Sequence, residues 1–159
     1  MITLYKKQLS IFFSTIIGPL IIGLFLLING LILWSNLSSL NILDNSYASM
    51  DLFFNISPLI FLLFIPAVSM KTFAEEYNAG TIEILITKPI TAYQIVLAKF
   101  LAILTLVIFS IIPTLFHVIT IYFIGENIGN LDIAGILGSY IGLMMLATVF
   151  ISIGIFTSS

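Results

Sequence analysis

His117 and the acidic pair Glu75-Glu76 are the residues of this chain best suited to acid–base or metal chemistry. Histidine and glutamate together form the ligand and base set of zinc hydrolases, where the pattern His-Glu-x-x-His places both histidines on one helix face. The sequence lacks that pattern, and His117 lies about 40 residues beyond Glu76. It also has no cysteine, which excludes disulfides and thiolate-ligated metals. We therefore predict no catalytic, metal-binding or cofactor-binding residue, and an intramembrane metalloenzyme is disfavoured.

The sequence also lacks the residues that ATP hydrolysis requires. It contains no Gly-x4-Gly-Lys-[Ser/Thr] loop, whose backbone N–H groups cradle phosphates. Any ATPase activity must therefore come from another polypeptide. Ion-coupled secondary transport needs carboxylates or broken helices near the middle of the membrane, and the apolar segments of this chain contain no acid. These residues disfavour a secondary transporter, and no nucleic-acid partner is expected.

The composition is that of a membrane protein. Hydrophobic residues make up 60% of the chain, charged residues make up 8%, and the mean hydropathy is +1.25, whereas soluble domains contain about 25% charged residues. The charges leave four uncharged windows, each long enough for a helical crossing of about 20 residues: Gln8–Leu43, Leu52–Met70, Phe100–Gly125 and Ile133–Ser159. We therefore predict an all-α, polytopic membrane helix bundle with four transmembrane helices.

One membrane domain is predicted over residues 1–159. Residues 1–16 place polar and apolar side chains on different helix faces, with Lys6 and Lys7 on the polar face, which is typical of a helix that lies in the membrane interface. Gly18-Pro19 favours a turn before the first crossing. The predicted segments are an interfacial helix at 1–17, crossings at 19–38, 57–70, 99–124 and 136–157, and a polar loop at 71–93.

The charges at the ends of these crossings indicate the orientation of the chain. All five lysines fall on one side of the membrane: Lys6, Lys7, Lys71, Lys88 and Lys99. The acids of the other side are Asp44, Asp51, Glu126 and Asp132. The positive-inside rule makes the lysine side cytoplasmic. We therefore predict a multi-pass protein of the bacterial inner membrane, with the N-terminus and the 71–93 loop in the cytoplasm.

Asn29 and His117 are the polar side chains that stand out within the crossings. An amide in hydrocarbon needs a hydrogen-bond partner, so Asn29 is predicted to face other helices, with a substrate contact as the alternative. Gly23 and Gly30, one heptad apart, favour a close helix approach in the same crossing. His117 is the only histidine of the chain, and a single imidazole forms neither a proton relay nor an ion pair. We predict that it also hydrogen-bonds in helix packing.

Other residues indicate the shape and depth of the crossings. Pro66 should kink the second crossing about one turn before its cytoplasmic end, because proline removes a backbone hydrogen bond. The alternative is a proline that a membrane helix simply tolerates. Trp34 and Tyr140 are predicted to anchor their helices at the interface, and the Gly138-x3-Gly142 pattern predicts a helix contact in the fourth crossing.

The 71–93 loop is the longest segment suited to water on the lysine side. The second helix is predicted to continue past Lys71 and to stop at Gly80, since glycine is common just past a helix end. A short amphipathic helix should follow and end at Pro89, and Thr91-Ala92-Tyr93-Gln94 matches a capping box that starts the next helix. This transverse helix could lie against lipid headgroups or dock in a groove of a soluble partner, and the pattern leaves both open.

The order of residues in this loop resembles the ABC-2 type transporter permeases. The matching positions are Glu75-Glu76, Gly80-Thr81-Ile82-Glu83, Leu85, Thr87, Pro89 and Ala98-Lys99-Phe100. Four further segments look like the gliding-motility-associated permease subunit of that family: Leu31-Ile32-Leu33-Trp34, Asn41-Ile42-Leu43-Asp44, Ile65-Pro66-Ala67-Val68-Ser69-Met70 and Gly138-Ser139-Tyr140-Ile141-Gly142. The resemblance extends over nearly the whole chain.

The resemblance implies that the loop holds a coupling helix that contacts a separate ABC ATP-binding subunit. The contact residues would be Glu75, Glu76, Gly80, Thr81, Glu83 and Pro89. The chain would be a non-catalytic permease subunit that couples ATP hydrolysis to export or extraction, linked to gliding motility, with an ATP-independent secondary transporter or a membrane scaffold subunit as the alternative. A second permease copy or a related permease, and the lipid membrane, would be its other partners. Permeases of this family have six crossings, so we expect an N-terminal fragment of a longer domain.

Overall fold

The computed structural model of the protein describes residues 2–34, 50–78, 80, 91–124 and 131–158. The regular structure of these residues is helical and contains no strand. Four helical stretches among them are long and apolar enough to cross a membrane: Ile17–Trp34, Asp51–Thr72, Tyr93–Phe123 and Ile133–Ser158. The predicted all-α membrane bundle is therefore confirmed.

The helices follow one another along the chain with short breaks between them. They are α1 (Ile2–Ser14), α2 (Ile17–Trp34), α3 (Asp51–Asn78), α4 (Ala92–Ile111), a 3-10 turn (Ile112–Thr114), α5 (Leu115–Ile124) and α6 (Ile133–Ser158). The 3-10 turn lies inside the third membrane-spanning stretch, where Pro113 cannot donate a backbone hydrogen bond. α4 and α5 are thus two halves of one span.

α3 is longer than the crossing predicted at 57–70. It begins at Asp51, whose carboxylate lies in the first helical turn, where the positive end of the helix dipole favours an acid. It ends at Asn78, beyond the end of its apolar stretch at Thr72. The last residues of the first predicted crossing, 35–38, lie outside the described residues.

The break between α1 and α2 lies at Thr15 and Ile16, earlier than the turn predicted at Gly18-Pro19. Pro19 instead sits in the first turn of α2, where its missing N–H leaves no helical bond unmade. Gly18 is buried, and a Cβ atom there would collide with the carbonyl oxygen of Phe12. Gly18 therefore serves the close approach of α2 to the end of α1.

α3 and α4 occupy the centre of the bundle. α3 packs most extensively against α6 and also against α2, α4 contacts α1, α2 and α6, and α3 and α4 contact each other over a smaller area. The Phe25 and Phe61 rings stack between α2 and α3, with centroids 4.9 Å apart. α1 lies on α4, where the Tyr5 hydroxyl is 2.9 Å from the Thr105 hydroxyl. Part of the apolar face of α1 is thus covered by protein.

Among the described glycines, Gly154 provides the closest approach between two of the membrane-spanning helices. A Cβ atom at this position would collide with Ser69 Oγ and would lie 3.4 Å from the Cα atom of Pro66, both on α3. The glycines predicted to serve such approaches have open space instead, with nothing within 4 Å of a Cβ atom at Gly23, Gly30, Gly138 or Gly142. Those predictions are wrong for contacts within this chain, because the faces of α2 and α6 that carry them point away from the bundle.

Asn29 is buried between α2 and α3. Its Nδ2 atom donates to the Phe25 carbonyl oxygen at 2.9 Å within α2, and its Oδ1 atom accepts from the Ser57 hydroxyl at 3.1 Å. Both side chains are almost completely shielded, with exposed fractions of 1% and 0%. This is a hydrogen bond between two crossings in a site that water does not reach.

Replacing Gly154 by leucine should lower the free energy of unfolding by about 1–3 kcal/mol, because a side chain forced into a packed contact must displace its neighbours. Titration of the purified protein from mixed micelles into SDS measures the loss. Gly138→Leu is the matched control on the open face of α6 and should be nearly neutral. Equal losses in the two variants would show that the α3–α6 contact is not close.

The Asn29–Ser57 bond should be detectable by a double-mutant cycle with Asn29→Ala and Ser57→Ala. We expect a coupling energy of about 0.6 kcal/mol, and at most about 1.7 kcal/mol, as for hydrogen bonds between other membrane helices. The same SDS titration measures it. Ser110→Ala, which removes a bond to the Val107 carbonyl within α4, should show no coupling to Asn29→Ala. A coupling of zero for Asn29 and Ser57 would contradict the contact.

Candidate functional site

The candidate site is formed by the facing ends of α3 and α4, which flank the polar loop. α3 continues past Lys71 to Asn78, and its last turns carry Glu75 and Glu76. Gly80 follows with a positive φ of 62°, a backbone conformation that favours glycine and that is common just after a helix. The helix thus extends beyond its apolar stretch and stops near Gly80, as the sequence predicts.

Several predicted site residues cannot be placed. Thr81, Glu83 and Pro89, together with the predicted transverse helix and Lys88, lie outside the described residues. Of the six predicted coupling residues, the structure therefore places the backbone of Glu75 and Glu76 and the turn at Gly80. These three lie at the tip of α3, on one continuous piece of chain.

α4 begins at Ala92, immediately after the threonine of the predicted capping box. Thr91 has the extended backbone of an N-cap residue, and its carbonyl oxygen accepts from the Gln94 N–H at 2.9 Å. Its side chain makes no capping hydrogen bond. The position of the helix start is therefore right, whereas the predicted side-chain mechanism is wrong. The exposed Thr91 hydroxyl lies where water can replace that bond.

Lys99 is turned into the bundle. Its exposed fraction is 3%, and its Nζ atom donates to the Thr72 carbonyl oxygen of α3 at 3.2 Å. A lysine near the end of a membrane helix usually extends its ammonium towards water instead. One signal did point inward: Lys99 shares a helical stripe with the buried residues Ile103, Leu106 and Ser110.

Hydroxyl groups continue this polar contact along α3. The Thr72 hydroxyl donates to the Ser69 carbonyl oxygen at 2.7 Å, and the Ser69 hydroxyl donates to the Pro66 carbonyl oxygen at 2.9 Å. We call Lys99, Thr72, Ser69 and Pro66 the polar ladder. Ser69 also touches α6 at Gly154. The ladder thus lies where α3, α4 and α6 meet, next to the loop.

A second set of polar contacts lies at the other end of the spans. Trp34 Nε1 donates to His117 Nδ1 at 3.2 Å, which joins α2 to α5 and requires a neutral imidazole with its proton on Nε2. The hydroxyls of Thr114 and Tyr140 are 3.1 Å apart. The rings of Phe53 and Phe54 pack against Tyr140, whose exposed fraction is 8%. Tyr140 is therefore a buried hydrogen-bonding residue, and the predicted interface anchor is wrong.

His117 and the glutamates of α3 are not brought together. The 20 residues of α4 span about 30 Å at 1.5 Å per residue, and His117 follows that helix. No group of three or more histidine and acidic side chains that could hold a metal ion occurs among the described residues. A zinc site built from His117, Glu75 and Glu76 is incompatible with this separation.

Acidic residues gather at the end opposite Lys99. Asp51 and Asp132 line one cavity of about 300 Å³ between the first turns of α3 and α6. The Asp132 carboxylate accepts from the Gly135 N–H at 3.1 Å and so caps α6. Lys71 and Lys99 lie at the other ends of α3 and of the third span. We call the end with Asp51 and Asp132 the acidic end and the end with Lys71 and Lys99 the basic end, although Glu75 and Glu76 also lie at the basic end.

Comparison with known proteins gives a family but no individual relative. No curated protein and no solved structure matches the chain. Residues 7–159 match the model of a family described as ABC-2 family transporter protein. The match covers the helices from the middle of α1 onward, including the ends of α3 and α4 that form the candidate site. The chain therefore belongs to the ABC-2 transporter family, as a membrane permease of that family.

Proposed function

We propose that this permease couples a separate ABC ATPase subunit to substrate movement, and that the 71–93 loop is the contact. The carrying observation is that α3 extends past its apolar stretch, from Thr72 to Asn78, and is tied to α4 by Lys99. A helical stem that leaves the membrane region offers a protein partner a defined surface. The acids Glu75 and Glu76 on this stem suit a basic patch of that partner.

The division of labour follows from the sequence. The chain has no phosphate-binding loop of the Gly-x4-Gly-Lys-[Ser/Thr] type, so the nucleotide chemistry belongs to the ATPase subunit. The permease contributes the path through the membrane and the helices that rearrange. A second copy of this chain or a related permease completes that path. Asn29 and His117, each hydrogen-bonded to another helix, serve helix packing in this scheme.

The orientation of the chain is part of the proposal. The basic end of the bundle faces the cytoplasm of a bacterial cell under the positive-inside rule, so the N-terminus and the loop are cytoplasmic. The acidic end with Asp51 and Asp132 then faces outward. An ATPase, which needs cytoplasmic ATP, can reach the loop only in this orientation.

Cysteine labelling tests the orientation cleanly because the chain has no native cysteine. Tyr93 and Asp132 are exposed residues at the two ends of the bundle. A membrane-impermeant maleimide should label Asp132→Cys in cells with a permeabilised outer membrane and should label Tyr93→Cys only in inverted membrane vesicles. The reverse pattern would place the loop outside the cytoplasm and would rule out an ATPase contact there.

Charge reversal in the loop tests the coupling site. Glu83→Lys should weaken co-purification of the ATPase subunit at least tenfold and should reduce ATP-dependent function in parallel, because the loss of a desolvated charge pair costs about 2–5 kcal/mol. Glu126→Lys, in the connection at the acidic end, is the matched control and should leave both unchanged. Full binding and full function of Glu83→Lys would show that the loop is not the contact.

The link to gliding motility is a finer proposal, and the segments Leu31–Trp34 and Ile65–Met70 support it by their resemblance to the gliding-motility-associated permease subunit. Deletion of the gene should abolish surface spreading of the host cells while growth continues. The wild-type gene should restore spreading, whereas the Glu83→Lys gene should not. Normal spreading of the deletion strain would limit the proposal to an ABC-2 permease with another substrate.

A further inference from the structure

We propose that Lys99 is a positioning residue that joins α3 and α4 at the base of the loop, so that the two helices move as one body when the loop is pushed. The proposal rests on the proposed function of the loop as the ATPase contact. Its structural part, a rigid helix pair, can be measured without any ATPase. Lys99 would thus determine how well a docked partner's movement is transmitted, rather than whether the partner docks.

The burial of Lys99 is the first observation that carries this proposal. A lysine near the end of a membrane helix normally extends its ammonium into water, since its removal from water is costly. Lys99 is 3% exposed and reaches across to the Thr72 carbonyl oxygen at 3.2 Å. The contact is retained only while α3 and α4 stay together, because the donor and the acceptor belong to different helices.

The position of the contact is the second observation. From Thr72 to its end at Asn78, α3 rises by about 9 Å, and from Lys99 back to its start at Ala92, α4 covers about 10 Å, at 1.5 Å per residue. The two arms beyond the contact are thus of similar length. Lys99 lies at the base of this helical hairpin. Its hydrogen bond to Thr72 links α3 to α4 there, at the end of the two arms away from the loop.

The surroundings of Thr72 indicate where a movement of the hairpin would go. The polar ladder leads from Thr72 through Ser69 to Pro66, one hydroxyl–carbonyl bond per turn. Bonds of this kind bend helices, and Pro66 removes a further backbone bond from the same stretch. Ser69 and Pro66 lie against Gly154 of α6 with no space for a Cβ atom. A displacement of the joined hairpin is therefore directed into the α3–α6 contact.

Spin labels on the two arms test the rigid pair directly. Asn78→Cys and Tyr93→Cys can be labelled in the full chain, which has no other cysteine, and their distance distribution can be measured in lipid nanodiscs. The distribution should be narrow with Lys99 present and at least twice as wide in Lys99→Met. Ser110→Ala is the matched control, because it removes a buried polar contact that stays within α4. An unchanged width in Lys99→Met would overturn the proposal.

Two further variants separate the cross-link from general packing. Lys99→Arg keeps the charge and the donors and should keep the narrow distribution. Lys99→Gln stays polar but is too short to reach Thr72, and it should broaden the distribution. It serves as the deciding variant if Lys99→Met does not accumulate in the membrane. A narrow distribution in Lys99→Gln would count against the cross-link.

Functional measurements then distinguish this proposal from the proposed function. In the assembled transporter, Lys99→Met should retain the ATPase subunit and its ATP hydrolysis but lose at least tenfold in ATP-dependent function, with recovery in Lys99→Arg. Retained function in Lys99→Met together with a broadened distance distribution would overturn the role in transmission. Failure of the wild-type chain to bind the ATPase would instead refute the proposed function, while the spin-label distances would still decide whether Lys99 joins the helices.

Discussion

Each polar group buried in this bundle must find its hydrogen-bond partner within the protein, because hydrocarbon offers none. Among the described residues, the structure meets this constraint in part with hydrogen bonds between helices. Asn29 binds Ser57 between α2 and α3, and Lys99 binds Thr72 between α4 and α3. Each contact favours one relative height of its two helices, because a shift by one turn would break the hydrogen bond. Apolar side chains alone do not set the relative height of two helices so strongly. Lipid chains are as apolar as leucine, so a leucine that leaves its contact loses little.

The same constraint explains how the bundle tolerates its prolines. Pro113 interrupts the third span, and the chain responds with a 3-10 turn in which the Leu115 N–H donates to the Ile112 and Pro113 carbonyl oxygens. The Thr114 hydroxyl adds a bond to the Ile111 carbonyl oxygen at 2.6 Å. Around Pro66, Ser69 supplies a comparable local bond. In both places a hydroxyl that follows a proline donates to a carbonyl oxygen one turn back, so the hydroxyl finds its partner within its own helix.

The sequence predicted well what depends on neighbouring residues and poorly what depends on other helices. Long uncharged windows located all four spans, and glycine chemistry located the end of α3 near Gly80. The stripe that Lys99 shares with Ile103, Leu106 and Ser110 indicated that it points inward, but its partner, the Thr72 carbonyl oxygen, lies on another helix and no local pattern identifies it. Likewise, a Gly-x3-Gly pattern in α6 was less informative than the isolated Gly154, because the contact depends on which face meets α3. The partner of His117 is Trp34, far away along the chain, and residue spacing cannot identify it.

At the basic end of the bundle, the Lys99–Thr72 contact forms the base of a segment whose tip is the end of α3 at Asn78. The proposed response of the permease to an ATPase depends on both parts. A docked loop transmits displacement only if its base resists deformation more strongly than the membrane helices resist rearrangement. At that base, Lys99 joins α3 to α4, while Gly154 holds α3 against α6. Pro66, where α3 lacks one backbone hydrogen bond, lies further from the tip of α3 than Thr72 does. Under the proposed coupling, force applied at the tip of α3 meets the Lys99 contact first and the packing of Ser69 and Pro66 against Gly154 second, which favours movement of the spans over separation of the loop.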